Sequence, residues 1–385
     1  MQMERHETMD SETIMNDINQ LFFELIQVAI GTHICLSHTP SADEWGELYA
    51  MTKKQSLIGV CFAGIQMLTI NHPSSIINLS EILRLQWMGM AAKIQQRNEV
   101  VNRQCVDLQK RLSDDGFQSC ILKGQGVALY YPEHLKGLRQ SGDIDVWMWC
   151  EGNLKERRAK IIEYACKRKS EAKAFIHHVD CKVFDDTETE FHYLPSWFNS
   201  PISHNRFVRW CETQIEEQMN HEVGEFTMPN AYFNSIFLLS HIYRHLFQEG
   251  IGLRQLMDYY FVIGSKDALL IDKKSWQHTI KSLGMSRIAG AVMWVMDDMY
   301  ALPKEQQLCE PDENEGRFLL NEIMLAGNFG KYDERINRSV QSEVYSGLLR
   351  IQRNTHFLMH YPCEVIWNPI WKIWHWMWIK MIRYN

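Results

Sequence analysis

No two of the ten cysteines stand at C-x-x-C spacing; they are scattered from Cys35 to Cys363. That spread excludes a C-x-x-C zinc or redox motif. It fits reduced, mostly buried thiols in an intracellular chain better than a disulfide framework. Basic charge is not in excess either. Lys and Arg number 40 against 47 Asp and Glu, a net charge of −7. A protein that coats DNA or RNA is disfavoured, while a local basic cleft is still compatible. No run of about 20 uninterrupted apolar residues occurs, so no membrane span is expected. The longest apolar stretches, such as Leu57 to Ile70, are broken by Gly and Gln. The opening MQMERHETMDSET lacks the basic-then-apolar order of a secretory signal. Neither an internal repeat nor a low-complexity tract is present. A cytoplasmic globular protein is the expectation. At about 150 residues per domain, 385 residues predict two or three domains.

What is present changes texture twice along the chain. Residues 1–113 read as helices: Ile14, Ile18, Leu21, Phe22, Leu25 and Ile26 recur at helical spacing. Thr39-Pro40-Ser41 reads as a break before a helix start, and Asn78-Leu79-Ser80 precedes a long helix through Arg111. At Ser113-Asp114-Asp115-Gly116 a turn cluster opens a different unit. Cys120 to Leu122 is β-like, Val127 to Tyr131 is helical and stops at Pro132, and Asp143 to Trp149 reads as a strand. Asn153 is placed to cap a charged helix running to about Lys169. Phe175 to Phe184 and Glu188 to Leu194 read as two strands joined by a turn at Asp185-Asp186-Thr187. Helices return after Pro195, with Asn230 to Phe247 and Leu253 to Ile263 the clearest, and the acidic Glu310 to Glu315 reads as a surface connection. The expected fold is α+β: a small αβ core of mixed sheet and helices at 114–195, flanked by helical regions at 1–113 and 196–385.

The chemistry concentrates at Gly142-Asp143-Ile144-Asp145-Val146. Side chains alternate along a strand, so Asp143 and Asp145 share one face. Adjacent carboxylates raise each other's pKa unless a cation lies between them. Mg²⁺ is the natural cation for an oxygen-only site that also takes substrate phosphate oxygens, with Mn²⁺ the alternative. On its own a D-x-D is weak, because many solvated strands carry one. Here Gly124 and Gly126 follow a strand and open a helix, where backbone N–H groups meet phosphates. Lys123 and Arg139 supply positive charge nearby. Glu188, Glu190 and His192 share a face of the later strand, and a third carboxylate there completes a two-metal arrangement. Asp180, Asp185 and Asp186 are further candidates for it.

The run Leu122-Lys123-Gly124-Gln125-Gly126 through Tyr131-Pro132, followed by Arg139-Gln140-Ser141-Gly142-Asp143-Ile144-Asp145, resembles the uncharacterised nucleotidyltransferase family of the DNA polymerase β-like superfamily. The resemblance continues in His177-His178, Glu190-Phe191-His192, His241, His245 and Leu253-Arg254-Gln255-Leu256 with Asp258, roughly 114 to 265. It implies an enzyme that binds an NTP and two divalent cations through Asp143, Asp145 and Glu190, moves an NMP group to an acceptor hydroxyl and releases pyrophosphate. Lys123, Gly124, Arg139, Ser141, Gly142 and Arg254 are the expected nucleotide contacts. His178, His192, His241 and Asp258 are the expected supporting residues. The wider superfamily has Gly-Ser at the phosphate turn, where this chain has Gly124-Gln125; the missing hydroxyl then falls to Ser141. The acceptor is expected to be a small molecule or a protein rather than nucleic acid. The rival reading is a catalytically degenerate module that senses nucleotide or scaffolds a complex.

Three other features weigh in. His241 and His245 lie one helical turn apart, but Ile242 stands where a zinc hydrolase of the H-E-x-x-H type has Glu, so buried hydrogen-bonded histidines are the simpler expectation. Arg254 and Asp258, also one turn apart, either pair and orient their helix or leave Arg254 to reach the triphosphate. Trp367, Trp371, Trp374 and Trp378 form one helical stripe flanked by Lys372, Lys380 and Arg383. The expectation is a terminal helix docked by its rings, with a protein partner or a membrane surface as alternatives.

Overall fold

A computed structural model of the chain describes residues 3–168, 172–335 and 343–383, with side chains over 17–168, 172–335 and 349–380. Lys169, and the side chains of Ile14 and Arg383, lie outside those residues. Four helices lead: α1 (Met3–Ile30), α2 (Ala42–Gln55), α3 (Ile58–Asn71) and α4 (Glu81–Asp114). Their starts follow from local chemistry. Ser41 and Glu44 form a reciprocal capping box at α2, and the Ser80 hydroxyl accepts from Leu83 N–H at α4.

Next comes the sheet. Its strands are β1 (Gln118–Leu122), β2 (Ile144–Trp149), β3 (His178–Asp180) and β4 (Thr189–His192), in the spatial order β1-β2-β4-β3. β1 runs antiparallel to β2, β2 parallel to β4, and β3 antiparallel to β4. The sheet is therefore mixed and the fold α+β, as expected. Between β1 and β2 lie α5 (Gly124–Ala128) and α6 (Glu133–Lys136), and α7 (Leu154–Arg168) precedes β3. Asn153 caps α7 as expected, accepting from the N–H groups of Lys155 and Glu156.

The sequence reading needs correction at several elements. The helix after Gly124 begins at once and ends at Ala128, rather than spanning Val127 to Tyr131. The last two strands are shorter than expected. A small hairpin of β5 (Glu222–Val223) and β6 (Phe226–Thr227) was not anticipated. The helices beyond it are α8 (Pro201–Met219), α9 (Ala231–Gln248), α10 (Leu253–Ile263), α11 (Lys273–Ser282), α12 (Ser286–Tyr300), α13 (Glu313–Ala326), α14 (Glu343–Thr355) and α15 (Pro362–Arg383). The acidic run read as a connection is the start of α13. Asp312 caps it, and Glu313 and Glu315 sit in the first turn, where the helix dipole favours negative charge.

One buried apolar cluster runs from Ile18 to Tyr361 and holds the sheet at its centre. Ile144, Val146 and Met148 are buried on one sheet face. Phe191 on that face meets Tyr164 of α7, ring centroids 5.9 Å apart. On the opposite face Trp147 stacks on Phe233 of α9 at 5.3 Å. This stack lays α9 across the face that carries the carboxylates, which decides what surrounds them.

Candidate functional site

The strand register builds a row of carboxylates. Asp145 pairs with Glu190 across β2 and β4, and Glu190 pairs with Asp180 across β4 and β3. One row along, Trp147, His192 and His178 line up in the same way. Asp145, Glu190, Asp180 and His178 open into a cleft of about 1070 Å³, lined also by Lys123, Gly124, Asp143, Arg244 and Arg254. That volume stands at the upper end for small-molecule sites.

Lys123 follows β1 directly and has φ 43°, ψ −152°. Only glycine reaches such backbone angles readily, and a side chain there costs about 1–3 kcal/mol. Its ammonium explains the placement: Nζ stands 2.7 Å from Asp145 Oδ1, with both side chains largely buried. Gly124 follows at φ +43°. At Gly126 a Cβ would fall 2.6 Å from Ile121 O, so the absence of a side chain lets α5 close on β1.

His192 bridges two carboxylates. Its Nε2 lies 2.9 Å from Asp145 Oδ1 and 3.1 Å from Glu190 Oε2. The electrostatics follow. Burial works against the charge on Asp145, and Lys123 and His192 outweigh it, so its carboxyl is held below the ordinary range. Burial likewise opposes the charge on Glu190, but His192, His178 and Lys123 hold its pKa far down. Asp143, exposed to the cleft, goes the other way: the charge of Asp145, then burial, push it up to about 6. The Lys123 ammonium is raised, because Asp145, Asp143 and Glu190 outweigh its desolvation. His192 is raised by the two carboxylates despite its burial. As oxygen donors for a hard cation Asp145 and Glu190 fit, one ligand atom of each lying within 4.8 Å of the other, with His192 beside both. Lys123 stands at Asp145 as the resident counter-charge.

Several expected contacts are built differently. Arg139 is buried, and its Nε and Nη2 donate to Asp258 Oδ1 and Oδ2, each at 2.7 Å. Tyr131 donates to the same carboxylate at 2.7 Å. So Asp258 pairs with Arg139 rather than with Arg254, and this bidentate pair ties the loop before β2 to α10. Arg254 instead donates to Gln140 O at 2.7 Å and stands over the Phe329 ring on the cleft wall. Gly142 borders the cleft. The Ser141 hydroxyl is buried without a partner among the described residues and does not line the cleft. Gln125 turns away from the cleft into α4, where its Nε2 donates to Asn102 Oδ1 at 2.6 Å. The departure from Gly-Ser at this turn is thus a docking contact.

What sequence reasoning missed is Arg244. It lies on α9 between His241 and His245, facing the cleft. Its guanidinium donates to His177 Nε2 at 2.7 Å, His245 Nε2 at 2.9 Å and His241 Nδ1 at 3.3 Å. No carboxylate is among these partners. Desolvation lowers its pKa and pushes His177 and His241 well below the imidazole range, so the three rings are neutral acceptors around one cation. The H-x-x-x-H spacing is the signal that was available, and it serves Arg244 rather than a metal. His177 and His178 both reach the cleft, His177 preceding β3, which begins at His178.

The terminal helix joins the site through an aromatic ladder. Trp371 stacks on Trp197 at 3.6 Å and on His375 at 4.6 Å, and Phe175 stacks on His178 at 4.8 Å. Trp371, Lys372 and His375 line the cleft. The expected tryptophan stripe is rotated. The buried face of α15 carries Glu364, Asn368 and Trp378, while Trp374 and Trp376 face solvent. Glu364 fixes the rotation by accepting from Asn199 N–H at 2.8 Å and Ser200 N–H at 3.3 Å.

No helix among the described residues is long and apolar enough to cross a membrane. Comparisons with curated proteins and with solved structures return no match. The family described as uncharacterised nucleotidyltransferase matches residues 41–301, which take in the whole sheet, α9 and α10. Since that match covers well over half of the chain, the protein belongs to this nucleotidyltransferase family.

Proposed function

We propose that the protein moves an NMP group from a metal-bound NTP to a hydroxyl of a small-molecule or protein acceptor, in the manner of the DNA polymerase β-like superfamily, and that it does so in the cytoplasm. The observation that carries this reading is the row of Asp145 and Glu190, bridged by His192 and flanked by Asp143, in one cleft with Arg244 and Arg254, which have no carboxylate ion pair among the described residues. Asp143, Asp145 and Glu190 would hold Mg²⁺ or Mn²⁺, which supplies charge neutralisation for in-line displacement at the α-phosphorus. The acceptor hydroxyl oxygen forms a bond to that phosphorus and releases its proton to solvent, the bond to the bridging oxygen breaks, and pyrophosphate leaves with its electron pair. Arg244 and Arg254 line the cleft as guanidinium groups suited to phosphate oxygens. His192 holds Asp145 and Glu190 at fixed separation through one N–H. The degenerate-scaffold reading draws on the Gln125 departure and on the tryptophan stripe, and the Gln125–Asn102 contact accounts for the first of these.

Thermal unfolding with Mg²⁺ and each of the four NTPs is the test. At 100 times its Kd a ligand adds about 2.7 kcal/mol to stability. The wild type should show a Mg²⁺-dependent rise with at least one NTP, and Asp145→Asn should not. No rise with any of the four, in wild type, removes the proposal.

A further inference from the structure

On the β3 side of Glu190 three acceptor atoms converge. His178 Nε2 lies 3.2 Å from Asp180 Oδ1 and 3.7 Å from Glu190 Oε2. One ligand atom of each residue lies within 4.8 Å of the other two. The state of the His178 ring follows from its other nitrogen. Arg244 donates to His177 Nε2, and a guanidinium only donates, so His177 Nε2 bears a lone pair. His178 Nδ1 stands 3.0 Å from that same atom and must therefore be the N–H. A neutral His178 then turns the lone pair of Nε2 toward two carboxylates. The three atoms together offer a cation one nitrogen and two oxygen ligands on this side of Glu190. The strand register locks Asp180 beside Glu190, and Phe175 stacked on the imidazole fixes its plane.

We propose that His178, Asp180 and Glu190 form a site for a first-row transition-metal cation, filled before nucleotide arrives. One imidazole nitrogen with two carboxylate oxygens suits Mn²⁺ over Mg²⁺, which prefers oxygen throughout and keeps its waters. Asp180 is partly exposed in the cleft, which gives the ion its way in. At Asp145, by contrast, Lys123 and His192 already occupy the carboxylate. The site thus lies across Glu190 from Asp145 and gives the cleft a resident cation beside any carried in with a triphosphate. The inference rests on the proposed role of Glu190 as a shared ligand.

The test is a Mn²⁺ titration of the full-length, nucleotide-free protein, read by the electron paramagnetic resonance of free Mn²⁺, with and without tenfold excess Mg²⁺. The wild type should bind one Mn²⁺ that Mg²⁺ does not displace. Asp180→Asn and His178→Gln should weaken it at least tenfold, as loss of a ligand does, whereas Asp143→Asn should keep it. Asp180 is partly exposed, so its variant remains informative if the His178 variant fails to fold. Wild type that binds no Mn²⁺ indicates a doubly protonated His178 and overturns the proposal. So does binding unchanged in Asp180→Asn, or binding that Mg²⁺ displaces. A Mg²⁺-dependent NTP response intact in wild type alongside any of these results leaves the nucleotidyl-transfer reading standing, so the two failures are separable.

Discussion

Asp143 is the residue at which activity and stability oppose each other. Its pKa is pushed up to about 6, chiefly by the charge of Asp145. An acid whose pKa is higher folded than unfolded binds more protons in the native state, so its ionisation destabilises the fold as pH rises through 6. At pH 7 without metal, Asp143→Asn should therefore stabilise the protein, by about 1 kcal/mol once solvent screening of this exposed group is allowed for. The same substitution should abolish nucleotidyl transfer. Denaturant unfolding in EDTA at pH 5 and pH 7 is the check: the gain should be present at pH 7 and shrink at pH 5. A variant less stable than wild type at pH 7 would show that the carboxylates do not repel. Alternation along each strand made Asp143 with Asp145, and Glu188 with Glu190 and His192, legible as two faces before any coordinates, while the pairing of Asp145 with Glu190 needed the sheet register. Arg244 was not legible: its place depends on α9 lying across the sheet, and that is set by Trp147 on Phe233, 86 positions apart in the chain.

Elements dock through single side chains here, and Gln125 is the clearest case. Its amide donates to Asn102 Oδ1 at 2.6 Å and to Asn98 O at 3.4 Å, tying α5 to α4. Placing a hydroxyl at this turn by Gln125→Ser should leave NTP affinity unchanged, since the side chain points away from the cleft. It should cost about 1–3 kcal/mol through the buried polar groups left without partners. Tighter NTP binding in this variant, by calorimetric titration, would place residue 125 at the phosphates after all. Helix starts were readable where the cap is a short-range device, as at Ser41, Ser80 and Asn153. The rotation of α15 was not, because Glu364 reads backbone N–H groups at Asn199 and Ser200 that no local periodicity reveals. The Arg139–Asp258 pair escaped for the same reason: Arg254 was the nearer partner along the chain, and Arg139 was the nearer one in space.

For the whole molecule the buried imidazoles set the response to acid. Six histidines, His177, His178, His204, His241, His245 and His375, have pKa values lowered by desolvation, to about 4 at His204 and His375. Each is neutral in the fold and takes a proton on unfolding as pH falls below about 6.5, so each contributes stability at pH 7 that is lost on acidification. Opposing them, Asp143 at about 6 and Glu364 at about 7 take up protons in the folded state over the same window, and His192 is raised. The six outnumber the three. Every proton left unbalanced lowers stability by about 1.4 kcal/mol per pH unit. The denaturation midpoint of the metal-free protein should therefore fall steeply between pH 7 and pH 5, well before the carboxylates of Asp145 and Glu190 begin to titrate. Removing one cradle ring with His241→Asn, which keeps a neutral side chain, should flatten that slope by about one proton. A midpoint that holds level or climbs on acidification would mean that these imidazoles are already charged in the fold. Arg244 would then lose the acceptors that orient it, and the guanidinium would have no fixed direction toward a phosphate.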